Sequence, residues 1–62
     1  MTNYEKCLNV KKISDLVLLS ESYFVFFSFK TANDKRKKFE IQGYKTILNT
    51  KSKNYLLFIF NN

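Results

Sequence analysis

The sequence predicts a mainly β, α+β fold: a small antiparallel meander sheet or open barrel with a short N-terminal helix. From Leu16 onwards, β-branched and aromatic residues dominate, and such residues favour strands over helices. The apolar runs have the length of strands and are separated by short polar connections, as in a meander. With 62 residues and no linker rich in Gly, Pro or Ser, the chain is expected to form one small domain over residues 1–62.

The helix is expected at about residues 3–12. Thr2 and Glu5 have the spacing of a capping box, in which the Thr2 hydroxyl accepts a hydrogen bond from a helical amide and Glu5 bonds back. The apolar residues of this segment and those that follow it fall on different sides of an ideal helix, so one long amphipathic helix is not expected. The helix should therefore end or bend near residues 11–12.

The β meander is expected over about residues 16–60. Its candidate strands are residues 16–19, 23–30, 37–42, 44–48 and 54–60. Asn33 and Asp34 supply turn chemistry for a central hairpin, because both side chains tolerate left-handed backbone and bond to it locally. Gly43, the only glycine, is expected where the chain must bend or bulge.

Two of these strands, at residues 23–27 and 55–60, are apolar on both sides. Residues 37–42 instead alternate between apolar and polar side chains, as in a strand with one solvated side. One short helix cannot cover both faces of such a sheet. Either the sheet closes into a small barrel around the helix, or another molecule covers part of the apolar surface.

The formal net charge is +6 and the pI is about 9.6, which favours an anionic partner: RNA, DNA, an acidic protein or an anionic membrane surface. Ten of the eleven basic residues are lysine, and an AT-rich genome would produce much of this composition through codon bias. Lysine contacts phosphate as a point charge and lacks the fork that arginine offers to a guanine edge. Any contact with nucleic acid is therefore expected to be mainly to its backbone.

The basic residues fall on predicted loops and strand ends, and the loops at residues 31–36 and 49–53 of a meander would share one end of the sheet. Tyr44 and Tyr55 flank these charges and are the expected stacking residues for single-stranded or looped RNA. The alternative is a solvated rim that keeps an apolar small protein soluble. The candidate RNA-binding residues are Lys30, Lys35, Arg36, Lys37, Lys38, Lys45, Lys51, Lys53, Tyr44 and Tyr55.

No catalytic, metal or cofactor site is expected, and neither are enzymatic activity and a small-molecule substrate. The acidic residues are scattered, histidine is absent and Cys7 is the only cysteine, which is expected to be a small buried residue. A lone thiol and the lack of a signal peptide favour an intracellular protein, in the cytoplasm or an organellar matrix, over a secreted one. The apolar run at residues 16–29 is interrupted and falls short of the ~20 residues of a transmembrane helix.

Small size, positive charge and a limited core are together typical of a structural component of a ribonucleoprotein, and we expect a ribosomal protein that binds rRNA and neighbouring proteins. Residues 38–43 and 55–61 resemble strands of a small eukaryotic large-subunit ribosomal protein, over about a quarter of the chain. Two alternatives stay open: a phage- or virus-type inhibitor that binds a host protein, and a peripheral membrane protein. Outside an assembly the chain is expected to be poorly soluble or to form homo-oligomers, because so small a domain buries only ~60% of the surface that its unfolded chain exposes.

Overall fold

The computed structural model describes residues 2–10 and 12–61. The elements follow in the order α1 (Asn3–Cys7), α2 (Ile13–Leu19), β1 (Ser22–Phe26), α3 (Phe29–Ile41), β2 (Lys45–Asn49) and β3 (Tyr55–Phe60). The small α+β fold with an antiparallel sheet is confirmed. Helical residues outnumber strand residues, however, so the mainly β balance is wrong, and the described strands form an open sheet.

The sheet has the strand order β1-β3-β2, and β3 is antiparallel to both neighbours. This order excludes a meander, in which strands that follow one another in sequence are neighbours. β1 and β2 run in the same direction at the two edges, and α3 connects them. Phe58 lies at the middle of the sheet, opposite Tyr23 on one side and Ile47 on the other.

One face of the sheet is covered by α1 and α2. Phe58 and Phe60 project from β3 into a buried cluster with Cys7 of α1 and Leu16 of α2, each at most 2% exposed. The ring of Tyr4 meets that of Phe60 edge-on, with 5.7 Å between centroids. The buried position of Cys7 agrees with the prediction for this residue.

The opposite face of the sheet is covered by α3. Leu57 and Ile59 alternate with the two phenylalanines of β3, so they point to this face, and both are fully buried. The ring of Phe39 in α3 stacks on that of Phe24 in β1, with 5.6 Å between the ring centroids. The sequence-based expectation that β3 needs cover on both faces is therefore correct, and helices of the same chain provide that cover.

Residues 29–41 form helix α3, so the predicted hairpin at residues 31–36 and the predicted strand at residues 37–42 are wrong. The helix begins after Ser28 and ends at the turn of Gly43. The predicted strand depended on the alternation around Phe39, which is too short to distinguish a strand from a helix. Lys, Ala, Arg and Glu, which are good helix formers, fill much of the segment, and Ala32 and Phe39, two turns apart, both lie against the sheet.

The N-terminal half contains two short helices where the sequence predicts one helix and a strand. The predicted capping box is present: the Thr2 hydroxyl accepts from the Glu5 amide at 3.2 Å, and the Glu5 carboxylate accepts from the Thr2 amide at 3.1 Å. The helix ends at Cys7 rather than near residue 12, and Lys11 lies outside the described residues. Residues 16–19 belong to α2. Ile13, Leu16 and Leu19 are three residues apart, which places these apolar side chains on one side of a helix.

The remaining strands lie close to their predicted positions. β2 and β3 begin one residue later than predicted, while β1 ends at Phe26 instead of residue 30. Gly43 has a φ of 97° in the turn between α3 and β2, so the predicted bend is confirmed. A Cβ at Gly43 would meet nothing within 4 Å, so the backbone conformation alone requires glycine here.

Candidate nucleic-acid interface

The structure distributes the ten candidate RNA-binding residues over three places. Five lie on α3, two lie where β2 begins, and three lie in the β2–β3 loop and at the start of β3. The groups are, in that order, Lys30, Lys35, Arg36, Lys37 and Lys38; Tyr44 and Lys45; and Lys51, Lys53 and Tyr55. They do not form one site, and each group has a different environment.

The outer side of α3 carries three exposed lysines, Lys30, Lys37 and Lys38, which we call the lysine face. Ala32 is fully buried against the sheet, and at 100° per residue the three lysines project from the other side of the helix. Asp34 lies among them and lowers the local charge. The lysine face is therefore a row of solvated cations about two turns long.

Arg36 is held by its own helix. Its Nη1 donates to both carboxylate oxygens of Glu40 at 3.0 and 3.1 Å, and its Nε and Nη2 donate to Asn33 Oδ1 at 3.1 and 2.7 Å. These bonds occupy the guanidinium fork that would otherwise recognise a phosphate or a guanine edge. Arg36 thus stabilises α3, in contrast to the neighbouring lysines.

Glu40 links α3 to the sheet. The Thr46 hydroxyl of β2 donates to Glu40 Oε2 at 2.8 Å, and Thr46 is only 9% exposed. This hydrogen bond, followed by the bonds and charge of Arg36 and the charge of Lys45, lowers the pKa of Glu40 against the opposing effect of desolvation. The carboxylate is therefore a structural anion, and it is committed to groups of its own chain.

Two further candidates on α3 and β2 lie against aromatic rings. Lys35 Nζ is 5.7 Å from the centroid of the Phe39 ring, and Lys45 Nζ is 6.0 Å from that of Tyr4. Tyr44 is half-buried, and its ring packs edge-on against Phe39 at 5.7 Å. Because a stacking residue must offer its ring face to a base, Tyr44 is better explained as part of the packing around Phe39.

The end of the sheet where β1 finishes and β3 begins brings aromatic and basic residues together. Phe26 pairs with Tyr55 across the strands, so the β1–α3 junction and the β2–β3 loop share this end. Phe27 is 86% exposed and Phe29 is 51% exposed. The ring of Phe29 meets that of Tyr55 edge-on at 5.8 Å.

Lys30 lies in the first turn of α3 at this same end, and Lys51 and Lys53 lie exposed in the β2–β3 loop. We call this group the aromatic end: Phe27, Phe29, Tyr55, Lys51 and Lys53. Lys30 joins the aromatic end to the lysine face of α3. The sequence predicts that the basic residues at 30–38 and those of the last loop lie at one end of the sheet. Lys30 does lie at the same end as Lys51 and Lys53, but Lys37 and Lys38 lie nearer the other end of α3.

Sequence reasoning missed Phe27 and Phe29, which it assigned to the interior of a strand. One signal was available: Ser28 is a residue typical of helix N-caps, and it precedes a segment rich in helix formers. A helix that begins at Phe29 ends the strand before Phe27. The two rings are then left at the junction instead of within the sheet.

Cys7 has no chemical activation in this environment. Its burial raises the pKa of the thiol, and the negative charge of Asp15 raises that pKa further. At neutral pH the thiol is thus protonated, and the thiolate is the reactive form. Among residues 2–10 and 12–61, no cluster of His, Cys, Asp or Glu has the size needed to hold a metal ion.

Within the same described ranges, each helix is too short or too polar to cross a bilayer. The segment at residues 38–43, which resembles a strand of a ribosomal protein in sequence, forms the end of α3 and the following turn, so that part of the resemblance is wrong in structure. No family model, curated protein or solved structure matches this chain.

Proposed function

We propose that the protein is a small basic structural component of an intracellular ribonucleoprotein particle, with the ribosome as the favoured particle. Its lysines contact the RNA backbone, and its remaining apolar surface docks on neighbouring proteins. The observation that carries this proposal is that Lys30, the first lysine of the lysine face, directly follows the exposed Phe29 of the aromatic end. Cations and exposed aromatic rings are the two features with which proteins bind single-stranded nucleic acid.

The charge distribution supports the choice of partner. Residues 13–29 contain no basic residue and two acidic ones, so the rest of the chain carries a net charge of +8. Charge concentrated in this way attracts a polyanion more strongly than the same charge spread evenly. The lysine face and the loop lysines of the aromatic end both belong to this basic part.

The number of lysine contacts predicts how strongly the RNA affinity should depend on salt concentration. Each phosphate that is neutralised on a single strand contributes about −0.7 to the slope of log K against log salt. The exposed set of Lys30, Lys37, Lys38, Lys51 and Lys53 therefore gives a slope of at most about −3.5. Because the guanidinium of Arg36 is held by Asn33 and Glu40, we leave Arg36 out of this set.

The aromatic contribution is assigned to Phe27 and Phe29. Tyr55, the sequence-based candidate, is half-buried with its ring against Phe29, whereas Phe27 is almost fully exposed. A base stacked on an aromatic ring contributes roughly 1–3 kcal/mol. Since every base has a ring face, this contact adds affinity without strong sequence preference.

The test compares two doubly substituted proteins that lose the same charge. Lys30→Gln with Lys37→Gln removes two cations of the lysine face, while Lys6→Gln with Lys12→Gln removes two exposed lysines of the region around α1 and α2. Binding to single-stranded RNA is measured across a salt series. The first variant should reduce the slope by up to about 1.4, and the second should leave it near that of the unsubstituted protein.

Equal losses in both variants would show that only total charge matters, and an unchanged slope in the first would remove the lysine face from the proposal. In cells, the tagged protein should co-sediment with ribosome-sized particles and be released by high salt. Recovery only in a discrete complex with one host protein would instead support the inhibitor alternative.

A further inference from the structure

Residues 13–29, which we call the lysine-free segment, form the longest stretch of the chain without Lys or Arg. The segment contains α2, β1 and the start of α3. Among the described residues, seven of the nine exposed large apolar side chains belong to it. They are Val17, Leu18, Tyr23, Phe24, Val25, Phe27 and Phe29. The molecule thus separates exposed apolar surface from basic charge.

At the centre of the lysine-free segment lies β1, an edge strand. Within the described residues β1 pairs only with β3, so its other side presents backbone amide and carbonyl groups. Edge strands are commonly protected against further pairing by lysines, prolines or bulges. Ser22–Phe26 contains no charged residue and no proline, whereas the other edge strand, β2, begins with Lys45.

The side chains of β1 are unusually free for strand residues. Tyr23 and Val25 are each 47% exposed, and Phe24 is 39% exposed. They project to both faces of the sheet. The ring centroid of Tyr23 lies 5.9 Å from that of Phe58 on the α1–α2 side, while the ring of Phe24 stacks on that of Phe39 on the α3 side. A strand added beside β1 would cover these side chains on both faces.

We propose that β1 pairs antiparallel with β1 of a second copy, so that two three-stranded sheets join into one continuous six-stranded sheet. The two-fold axis passes between the Phe24 residues of the two copies. Phe24 then lies opposite Phe24 of the other copy, and Tyr23 lies opposite Val25 of the other copy. Aromatic pairs and pairs of aromatic with β-branched residues are the stabilising cross-strand combinations.

Charge favours a second copy at this edge. Two molecules of net charge +6 repel each other, and the lysine-free segment is where they can approach with the fewest like charges. A standard interface covers about 800 Å² of each partner, about a sixth of the 4548 Å² surface of this protein. β1 alone is about 17 Å long, so exposed side chains next to the strand must also contribute, and we expect a weak dimer.

Self-association is tested by sedimentation velocity from low micromolar to near-millimolar concentration. Val25→Lys places a charge on the pairing edge, and Ile41→Lys adds the same charge at a side chain of α3 that is 85% exposed. The unsubstituted protein and Ile41→Lys should convert from monomer to dimer as concentration rises, while Val25→Lys stays monomeric. Far-ultraviolet circular dichroism checks that both variants fold.

A monomer at all concentrations would overturn the proposal, and so would equal self-association of Val25→Lys and Ile41→Lys. If one variant unfolds, sedimentation of the unsubstituted protein still tests the proposal, because that protein must dimerise in any case. Added salt should strengthen the dimer by screening the repulsion between copies. The same salt weakens RNA binding. Because salt changes the two interactions in opposite directions, failure of the dimer proposal can be distinguished from failure of the RNA-binding proposal.

The register is tested by Phe24→Cys. Residues opposite each other in antiparallel strands have Cα atoms about 4.5–5.5 Å apart, which is within the range of a disulfide. Mild oxidation should give a covalent dimer of Phe24→Cys, but none of the matched surface variant Ile41→Cys. A dimer in solution without this cross-link would overturn the pairing centred on Phe24. The native Cys7 is buried and does not compete.

Discussion

The clearest prediction compares two phenylalanines that the sequence alone does not distinguish. Phe58 is fully buried at the centre of the sheet, and Phe27 is 86% exposed at the aromatic end. Both lie in runs of aromatic and aliphatic residues that resemble strand interiors. Phe58 lies in the core and should stabilise the fold, whereas Phe27 lies on the surface, where we propose that it stacks on a base. Alanine substitution at each position measures this difference.

Phe58→Ala should remove most of the folding free energy. A chain of this length is expected to have a free energy of unfolding of about 3–9 kcal/mol at ~0.05–0.15 kcal/mol per residue. Truncation of a buried phenylalanine to alanine costs about 3–5 kcal/mol. In urea, with an m-value near 1 kcal/mol/M for so small a protein, the midpoint should fall by ~3 M, or the protein should be unfolded without denaturant.

Phe27→Ala should leave the fold almost unchanged. An exposed side chain outside the core changes the free energy of unfolding by about 0.5 kcal/mol or less. Its affinity for single-stranded RNA should instead fall about 5- to 150-fold, which corresponds to the loss of one stacked base at roughly 1–3 kcal/mol. Leu18→Ala, at a side chain 80% exposed on α2, is the control and should affect neither property.

Urea unfolding followed by circular dichroism, and RNA titration followed by fluorescence anisotropy, measure the two effects. Similar losses of stability in Phe58→Ala and Phe27→Ala would refute the arrangement of helices on both faces of β3. Normal stability together with unchanged RNA affinity in Phe27→Ala would refute its role as a stacking residue. Either result is readable without knowledge of the natural RNA.

The remaining predictions concern the polar groups around α3. Gly43→Ala should lower the free energy of unfolding by about 1 kcal/mol in urea, because alanine is strained at the φ of 97°. Since the pKa of Glu40 is lowered by Thr46 and Arg36, its interactions stabilise the fold above the ordinary carboxyl pKa of about 4.3 and are lost as pH falls through the lowered value. Glu40→Gln should therefore flatten the acid side of a stability–pH curve, and an unchanged slope would contradict the Thr46 bond. Arg36→Gln should lower the melting temperature while reducing the RNA salt slope by less than Lys37→Gln does.

Local signals of the sequence predicted several parts of this fold correctly. The Thr2 and Glu5 spacing identifies the start of α1, because a capping box is completed by residues only three apart. The single glycine identifies the turn before β2. β3 is apolar on both sides, and the consequent need for cover on two faces is met by the helices. Each of these features depends on neighbouring residues or on one strand.

The errors arise where neighbouring residues leave two answers open. Phe39 and Ile41 alternate as in a strand, yet the spacing of Ala32 and Phe39 is equally consistent with a helix, and packing against the sheet decides. Asn33 and Asp34 are turn formers in isolation, but in α3 the amide of Asn33 is used to hold Arg36. The candidate site changed for the same reason. Once residues 29–41 form a helix, their lysines lie along a face instead of in a loop, and Phe27 is left exposed.

The separation of apolar surface and charge leads to a last prediction, which links the two proposals. A dimer through β1 presents two lysine faces, so an RNA long enough to contact both copies gains the second contact at a high effective concentration. Val25→Lys and Ile41→Lys add the same charge, and only the first should block pairing. Ile41→Lys also adds a cation beside the lysine face, so each variant is compared with itself on a short and on a long oligonucleotide. The gain in affinity from the short to the long oligonucleotide should be larger for Ile41→Lys than for Val25→Lys. Equal gains for both variants, with Ile41→Lys shown to be dimeric, would mean that the β1 edge and the RNA surface act separately.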